Sequence, residues 1–350
     1  MHIKQQFQKV KITETDKWDS IVKSFKHYDV AYLSNYVKAF ELNGDGEPIL
    51  FYFENNDTRA MNVIMKRDVA DSDDFKEKIP KNEYFDLTTP YGYGGFIKEG
   101  DNIDEINTAY NLFCREEKIV AEFVRFNLFT DSHYWYEGIV ESNIRNVVRD
   151  LEIPIEEIFM DFEHRVRKSI KKATKAGLRV EFDYTGERLE DFLRIYYGTM
   201  ERSNARDTFY FQNKFFQSIN NLNDNYVYIH VLYEDKVIST ELVLYGKENC
   251  YSFLGGTDKE YFHLNSNNFL KYEIIKWAKE FNLKRFVLGG GYGADDGIFN
   301  YKKGFSPRGI LNFYTGKKIY NNEKYKKLLE IKEKDSSFNN TSNFFPLYRS

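Results

Sequence analysis

Residues 250–305 open with Cys250-Tyr-Ser-Phe-Leu-Gly-Gly-Thr257 and close with Tyr301-Lys-Lys-Gly-Phe305. The apolar run at 251–254 reads as a strand that stops at Gly255 and Gly256. Residues 267–281 carry the pattern of a long amphipathic helix, and a second apolar run at 286–288 opens into Gly289, Gly290 and Gly291. Strand, glycine loop, helix, strand, glycine loop is a plan that puts two backbone-exposed loops at one edge of a sheet. Ligands sit at such edges, because glycine lets the main chain come close to them.

Upstream of this stretch, the apolar runs at 226–233 and 237–245 flank Glu234-Asp-Lys236 and read as two strands of a meander with 250–254. Residues 161–176 read as a helix, with Phe162, Val166, Ile170 and Ala173 on one stripe and Gly177 placed to end it. Its other face carries Arg165, Arg167, Lys168, Lys171, Lys172 and Lys175. A strand at 178–184 and helices at 189–200 and 213–219 complete this half.

The first half repeats the order of parts. After a short helix at 16–27 come three strand-like runs at 31–42, 49–53 and 60–66, separated by Asn43-Gly-Asp-Gly46 and Asn55-Asn-Asp57. Thr89-Pro-Tyr-Gly-Tyr-Gly-Gly95 follows, a loop whose Tyr91 and Tyr93 suit an aromatic wall beside a cleft. A helix at 103–118 and strands at 121–129 and 147–151 come next. A meander, a glycine-rich loop, a helix and an apolar strand in each half imply duplication of one unit. The expected fold class is α/β (α+β), with mixed, mainly antiparallel sheets flanked by helices. The expected domains are 1–152 and 153–318, and a helical or irregular tail over 319–350 docks through its late aromatic cluster, Phe344-Phe-Pro-Leu-Tyr348.

Composition narrows the function. Hydrophobic residues are 42% and aromatics 17% of the 350, enough for a sizeable core. The formal charge of −4 argues against a chain-wide nucleic-acid binder. The two cysteines, Cys114 and Cys250, stand alone, so a reducing cytoplasm is the expected setting. No signal peptide and no membrane span are expected. His133, His230 and His263 lack the spaced partners of a zinc site, and Asp295 with Asp296 is too few ligands for a metal, so none is expected.

With these parts in place, the chain resembles the Fem family of peptidoglycan-bridge aminoacyltransferases and their relatives among GNAT-like N-acyltransferases. Residues 165–177 resemble the basic helix that opens the family's second domain. Thr199-Met-Glu-Arg202 resembles its Thr-x-x-Arg, residues 270–279 its long helix, and Tyr301-Lys-Lys-Gly-Phe305 its closing motif. The Thr89–Gly95 loop is similar to one in the first domain of many relatives. The resemblance implies two tandem GNAT-like domains, and acyl transfer to an amine in the C-terminal one.

Candidate roles follow. Glu241 is the carboxylate placed to act as general base, against the ordinary reading of a solvated strand glutamate. Lys302 and Lys303 can steady an oxyanion or bind an anionic substrate, or they are a pair of surface lysines. Arg202 and Arg206 can clamp an anionic acceptor such as a nucleotide-sugar diphosphate, or cap their helix. Tyr251, Gly255 and Gly256, with Tyr91 and Tyr93, are candidates for substrate contact. The basic face of 165–175 is open to phosphates of tRNA or coenzyme A, or is a solvated face. The expected activity moves an acyl or aminoacyl group onto an amine of a cell-envelope precursor or sugar nucleotide. The co-substrate is acyl-CoA or aminoacyl-tRNA, and no cofactor is bound tightly. The alternatives are a duplicated fold that has lost its chemistry and binds a glycan or peptide precursor, and an RNA-binding module.

Overall fold

The computed structural model describes residues 7–291, 293, 296–334 and 338–350. Contacts divide the chain into a first unit of residues 1–142 with 313–350, and a second of 143–312. The sequence boundaries at 152/153 and 318/319 differ from this division, which falls inside two long strands.

Residues 7–142 form β1 (Phe7–Lys11), α1 (Thr15–Ser24), α2 (Ser34–Asn43), β2 (Glu47–Glu54), β3 (Arg59–Asp68), β4 (Phe85–Thr88), β5 (Ile97–Glu99), α3 (Ile103–Glu116), β6 (Ile119–Arg125) and the start of β7 (Ile139–Asp150). Residues 143–312 continue β7 and add α4 (Ile155–Asp161), α5 (His164–Lys175), β8 (Arg179–Asp183), α6 (Leu189–Arg202), α7 (Asn213–Asn220), β9 (Tyr226–Tyr233), β10 (Lys236–Tyr245), β11 (Asn249–Thr257), α8 (Ser266–Glu280), β12 (Arg285–Gly289) and α9 (Gly297–Lys303). The chain then returns to the first unit through β13 (Ile310–Ile319) and α10 (Asn322–Lys332).

Both units use one strand plan. In the first, the order is β1-β2-β3-β4-β6-β13, antiparallel except for the parallel pair β4–β6. In the second it is β8-β9-β10-β11-β12-β7, antiparallel except for the parallel pair β11–β12. Each parallel pair is joined through a helix, α3 or α8, as a parallel crossover requires. This repeated plan is what duplication of one unit produces.

Each sheet is built on aromatic and branched residues. Phe51 in the first unit lies 5.0 Å from Tyr110 and 5.4 Å from Phe113, ring to ring. In the second, Val227, Ile229, Val231 and Val243 pack with Ile274 and Ile275 of α8, while Phe192 of α6 meets Tyr228 on the opposite sheet face, 4.9 Å ring to ring. The second sheet is therefore covered on both faces, which explains why β9 is apolar on nearly every residue.

Several sequence expectations change. Residues 31–42, read as a strand, form a short 3₁₀ turn (Val30–Tyr32) followed by α2. Leu33, Tyr36, Val37 and Phe40 recur at helical spacing and are all buried. The helix read at 161–176 is α5, which begins only at His164 because Phe162 and Glu163 are extended, and a further short helix, α4, precedes it. Gly255 and Gly256 are not a loop. They lie inside β11, paired with Glu241 and Thr240. A helix, α9, follows the Gly289–Gly291 turn, so Tyr301, Lys302 and Lys303 are helical. Strand β13 has no counterpart in the sequence reading. Tyr348 of the terminal aromatic cluster is fully buried, and its hydroxyl donates to Asp86 Oδ2 at 3.1 Å. Among the described residues no helix is long and apolar enough to cross a membrane.

Candidate active site

The parallel pairing of β11 with β12 runs over three residue pairs, Asn249–Arg285, Cys250–Phe286 and Tyr251–Val287. β11 then continues along β10 to Thr257, while β12 ends at Gly289, where a φ of +83° turns the chain. Between Leu242 and Val243 the β10–β11 register slips, leaving Phe253 as an extra residue on β11. Such a bulge bends its strand and re-aims the side chains beside it. A cleft of about 190 Å³ lies here, lined by β10, β11, the first turns of α8, and Tyr301.

A buried charge cluster forms its floor. Lys271 Nζ donates to both carboxylate oxygens of Glu241 and, at 2.7 Å, to Ser252 Oγ. Glu241 and Lys271 are both buried, at 5% and 7% exposure. A buried pair of this kind is tolerable only when its remaining donors are satisfied, and Ser252 takes the third ammonium proton. The expectation of a solvated Glu241 fails because α8 covers the sheet face from which it projects. The carboxylate is committed to Lys271 rather than standing free.

Lys302 sits beside the end of β12. Its Nζ donates to Gly290 O at 2.7 Å, and a Cβ built on Gly289 would lie 3.3 Å from that nitrogen. Burial, reinforced by the nearby Lys271 charge, lowers its pKa to about 8, with Glu241 and Asp296 opposing the shift. Tyr301, one residue before, lines the cleft and donates from its hydroxyl to Asn267 O at 3.2 Å. Burial and the Glu241 charge push that hydroxyl well above the usual tyrosine range, so it stays protonated. Neither Lys302 nor Lys303 lines the cleft.

The two strand glycines serve packing. A Cβ on Gly255 would lie 2.5 Å from Thr240 O, and one on Gly256 2.2 Å from Thr199 Oγ1 of α6. Their absent side chains let β11 approach β10 and α6, and their main chain still lines the cleft.

The remaining sequence candidates are dispersed. Arg202 is exposed, donates to Thr257 O at 3.4 Å, stacks over Phe262, and lines a separate hollow of about 510 Å³. Arg206 is exposed beyond α6 and lines neither space. Tyr251 is buried in the sheet and does not line the cleft. Tyr91 and Tyr93 belong to the first unit: Tyr91 packs on Phe40, and Tyr93 meets Phe313 edge-on at 5.5 Å. On the basic helix, Arg165 reaches Asn300 O at 2.7 Å and Arg167 reaches Met160 O at 2.8 Å, tying α5 down, while Lys168, Lys171, Lys172 and Lys175 are exposed. Asp295 lies outside the described residues.

The sequence reading missed Lys271 and Ser252. A signal for Lys271 existed: it shares a helix stripe with Ile274, Ile275 and Ala278, all buried. A lysine on a core-facing stripe requires a partner.

Among the described residues, the first unit keeps its corresponding strands bonded. After β4, Thr89 N donates to Phe123 O at 3.3 Å, and Gly94 N to Arg125 O at 2.7 Å, so the segment following β4 stays bonded to β6 and the residues just beyond it.

Comparison with known proteins agrees with this division. Residues 160–303 match the model described as "Acetyltransferase (GNAT) domain". No curated protein matches the chain by sequence. Among solved structures, one described as FemX superposes with a TM-score of 0.67 at 16% identity, over 91% of this chain and 99% of that one. The C-terminal domain of a putative lysylphosphatidylglycerol synthetase from Agrobacterium fabrum gives 0.56 at 14% identity, over 89% and 93%. L-PGS from Bacillus licheniformis gives 0.56 at 11% identity, over the same shares, 89% and 93%. At these identities the likeness is one of fold: the chain has the tandem GNAT-like architecture, and the expected mainly antiparallel, helix-flanked plan holds.

Proposed function

We propose that the second unit is an N-acyltransferase site, which moves an acyl or aminoacyl group onto an amine of a cell-envelope precursor or sugar nucleotide. The observation that carries this reading is the early end of the β11–β12 pairing, with a cleft over β10 and β11 and Lys302 held at the end of β12. The match of residues 160–303 to the acetyltransferase domain covers the same elements. The envelope setting draws on the resemblance to bridge-forming enzymes and on the lysylphosphatidylglycerol synthetase named among the similar folds.

The chemistry needs a carbonyl held and polarised while an amine attacks it. A donor carbonyl entering the cleft lies against the main chain of residues 254–256. Main-chain N–H groups there then meet the oxygen as its negative charge develops, and the Lys302 ammonium, held on Gly290 O at the end of β12, adds positive charge from outside the cleft lining. Fixed donors of this kind contribute about 3 to 4 kcal/mol each to transition-state stabilisation in measured cases. At neutral pH Lys302 is protonated, as this role requires. Glu241 holds Lys271 and Ser252 in place beneath the reacting group and is not a free base. The amide C–N bond forms as the bond from the carbonyl carbon to the ester oxygen or thioester sulfur breaks, and the amine's proton leaves with that group.

The test incubates the purified chain with extracted envelope precursors and either acetyl-CoA or total charged tRNA. Mass spectrometry then seeks an added acyl or aminoacyl mass. Addition with one donor supports the reading and identifies the donor class. No addition with either, while the precursors still bind, favours a fold that has kept recognition and lost chemistry.

A further inference from the structure

A further concavity lies wholly in the first unit. It measures about 620 Å³ and is bounded by the C-terminal end of α3, the start of β6, the end of β13 and the N-terminus of α10. Arg115, Lys118, Lys318 and Lys324 line it, together with Asn111 and Asn321, and none of the described carboxylates does. Ile119, Ile319 and Tyr320 supply an apolar wall.

A charge run on a protein surface is ordinarily a solvated face. Three features set this one apart. The cations surround a hollow instead of following one helix. They gather in a chain of net charge −4. The positive end of an 11-residue helix, α10, opens into the same space, with Asn321 capping it through the Lys324 N–H at 2.9 Å. Lys318 is held rather than free to swing: Nζ donates to Asn111 Oδ1 at 2.8 Å and to Glu137 Oε2 at 3.0 Å. Glu137 balances one of the four charges. Arg115, exposed in the last turn of α3, presents a guanidinium able to take two oxygens of one phosphate.

We propose that this hollow binds the phosphate or diphosphate group of a soluble small molecule, whose remaining body lies on Ile119, Ile319 and Tyr320. The volume exceeds what an isolated phosphate fills and falls in the range of small-molecule sites. The site is independent of the acyl-transfer cleft, whose lining residues all belong to the second unit.

Isothermal titration of the full chain with inorganic pyrophosphate at low ionic strength tests this. Saturable binding is expected, weakening at least tenfold in an Arg115→Ala/Lys324→Ala variant and weakening with added salt. A Lys168→Ala/Lys172→Ala variant on α5 is expected to bind as the parent does. Unchanged melting temperatures establish that both variants are folded. Lys318 is left intact, since its side chain is part of the local packing. Absence of saturable binding at millimolar pyrophosphate overturns the proposal, as does binding that the Arg115/Lys324 variant retains. Sedimentation with phosphatidylglycerol vesicles, lost in that variant while pyrophosphate fails to bind, reassigns the face to a lipid surface and likewise overturns it.

Discussion

Lys271 on α8 and Glu241 on β10 form an ion pair inside the second unit, buried beneath a cleft and completed by Ser252. Pairing two charges there offsets their desolvation, but removing one leaves the other stranded. Glu241→Ala is therefore expected to cost about 3–5 kcal/mol of stability. Glu241→Leu combined with Lys271→Met should recover most of that loss without recovering transfer. Urea unfolding of the three proteins, with transfer rates alongside, checks both parts.

Lys302 supplies a pH-dependent signature. Its folded pKa, about 8, lies below the value of 10.5 expected for an unfolded lysine. Between those values the unfolded chain binds more protons, so stability rises with pH across that window. Below pH 8 both states are protonated and the full cost of burying the charge persists. Lys302→Met is expected to be more stable than the parent at pH 7, by roughly 1–3 kcal/mol, with the difference shrinking from pH 8 to 10.5. Denaturant midpoints at pH 7, 9 and 10.5 measure it.

The same residue should govern the rate. If its ammonium steadies the oxyanion, transfer falls as pH rises through about 8. Lys302→Arg should move that fall to higher pH while keeping part of the activity, and Lys302→Met should lose about a hundredfold or more in kcat. A flat pH profile in the parent would remove Lys302 from the chemistry.

Gly256 tests the packing of α6 on β11. A methyl group there meets Thr199 Oγ1 at 2.2 Å and Ile195 O at 3.0 Å. Gly256→Ala should destabilise by about 1–3 kcal/mol, the usual cost of overpacking. Adding Thr199→Ala should relieve part of it, because the nearest clash is with that hydroxyl. Thermal melts of the single and double variants show whether it does.

The outline of the second unit was legible in the sequence because its strands are long, apolar and separated by turn residues. The 226–233 run matches β9 to the residue. What misled was coverage of the sheet by helices on both faces. With no solvent face on β10, alternation could not mark Glu241 as buried. The glycines of β11 look like a loop in sequence, yet they are extended residues kept small by Thr240 and Thr199. Of the candidate residues, Glu241 falls in the cleft and Lys302 beside the end of β12, while Lys303 lines neither. Lys271 was passed over because a basic residue on a helix suggests solvent, although its buried neighbours one turn on pointed inward. The α2 segment failed for a simpler reason: aromatic residues favour strands by propensity, and the spacing of Leu33, Tyr36, Val37 and Phe40 decides otherwise.

The most direct measurement fills the cleft without touching its charges. Asn267 lines the cleft from the first turn of α8 and is exposed, and only its main-chain oxygen is used by Tyr301. Transfer to envelope precursors by the parent and by Asn267→Trp should be compared at equal folded protein. The expected result is a loss of at least a hundredfold with an unchanged melting temperature. Full transfer by the folded variant would mean that the acyl group is handled somewhere other than this cleft.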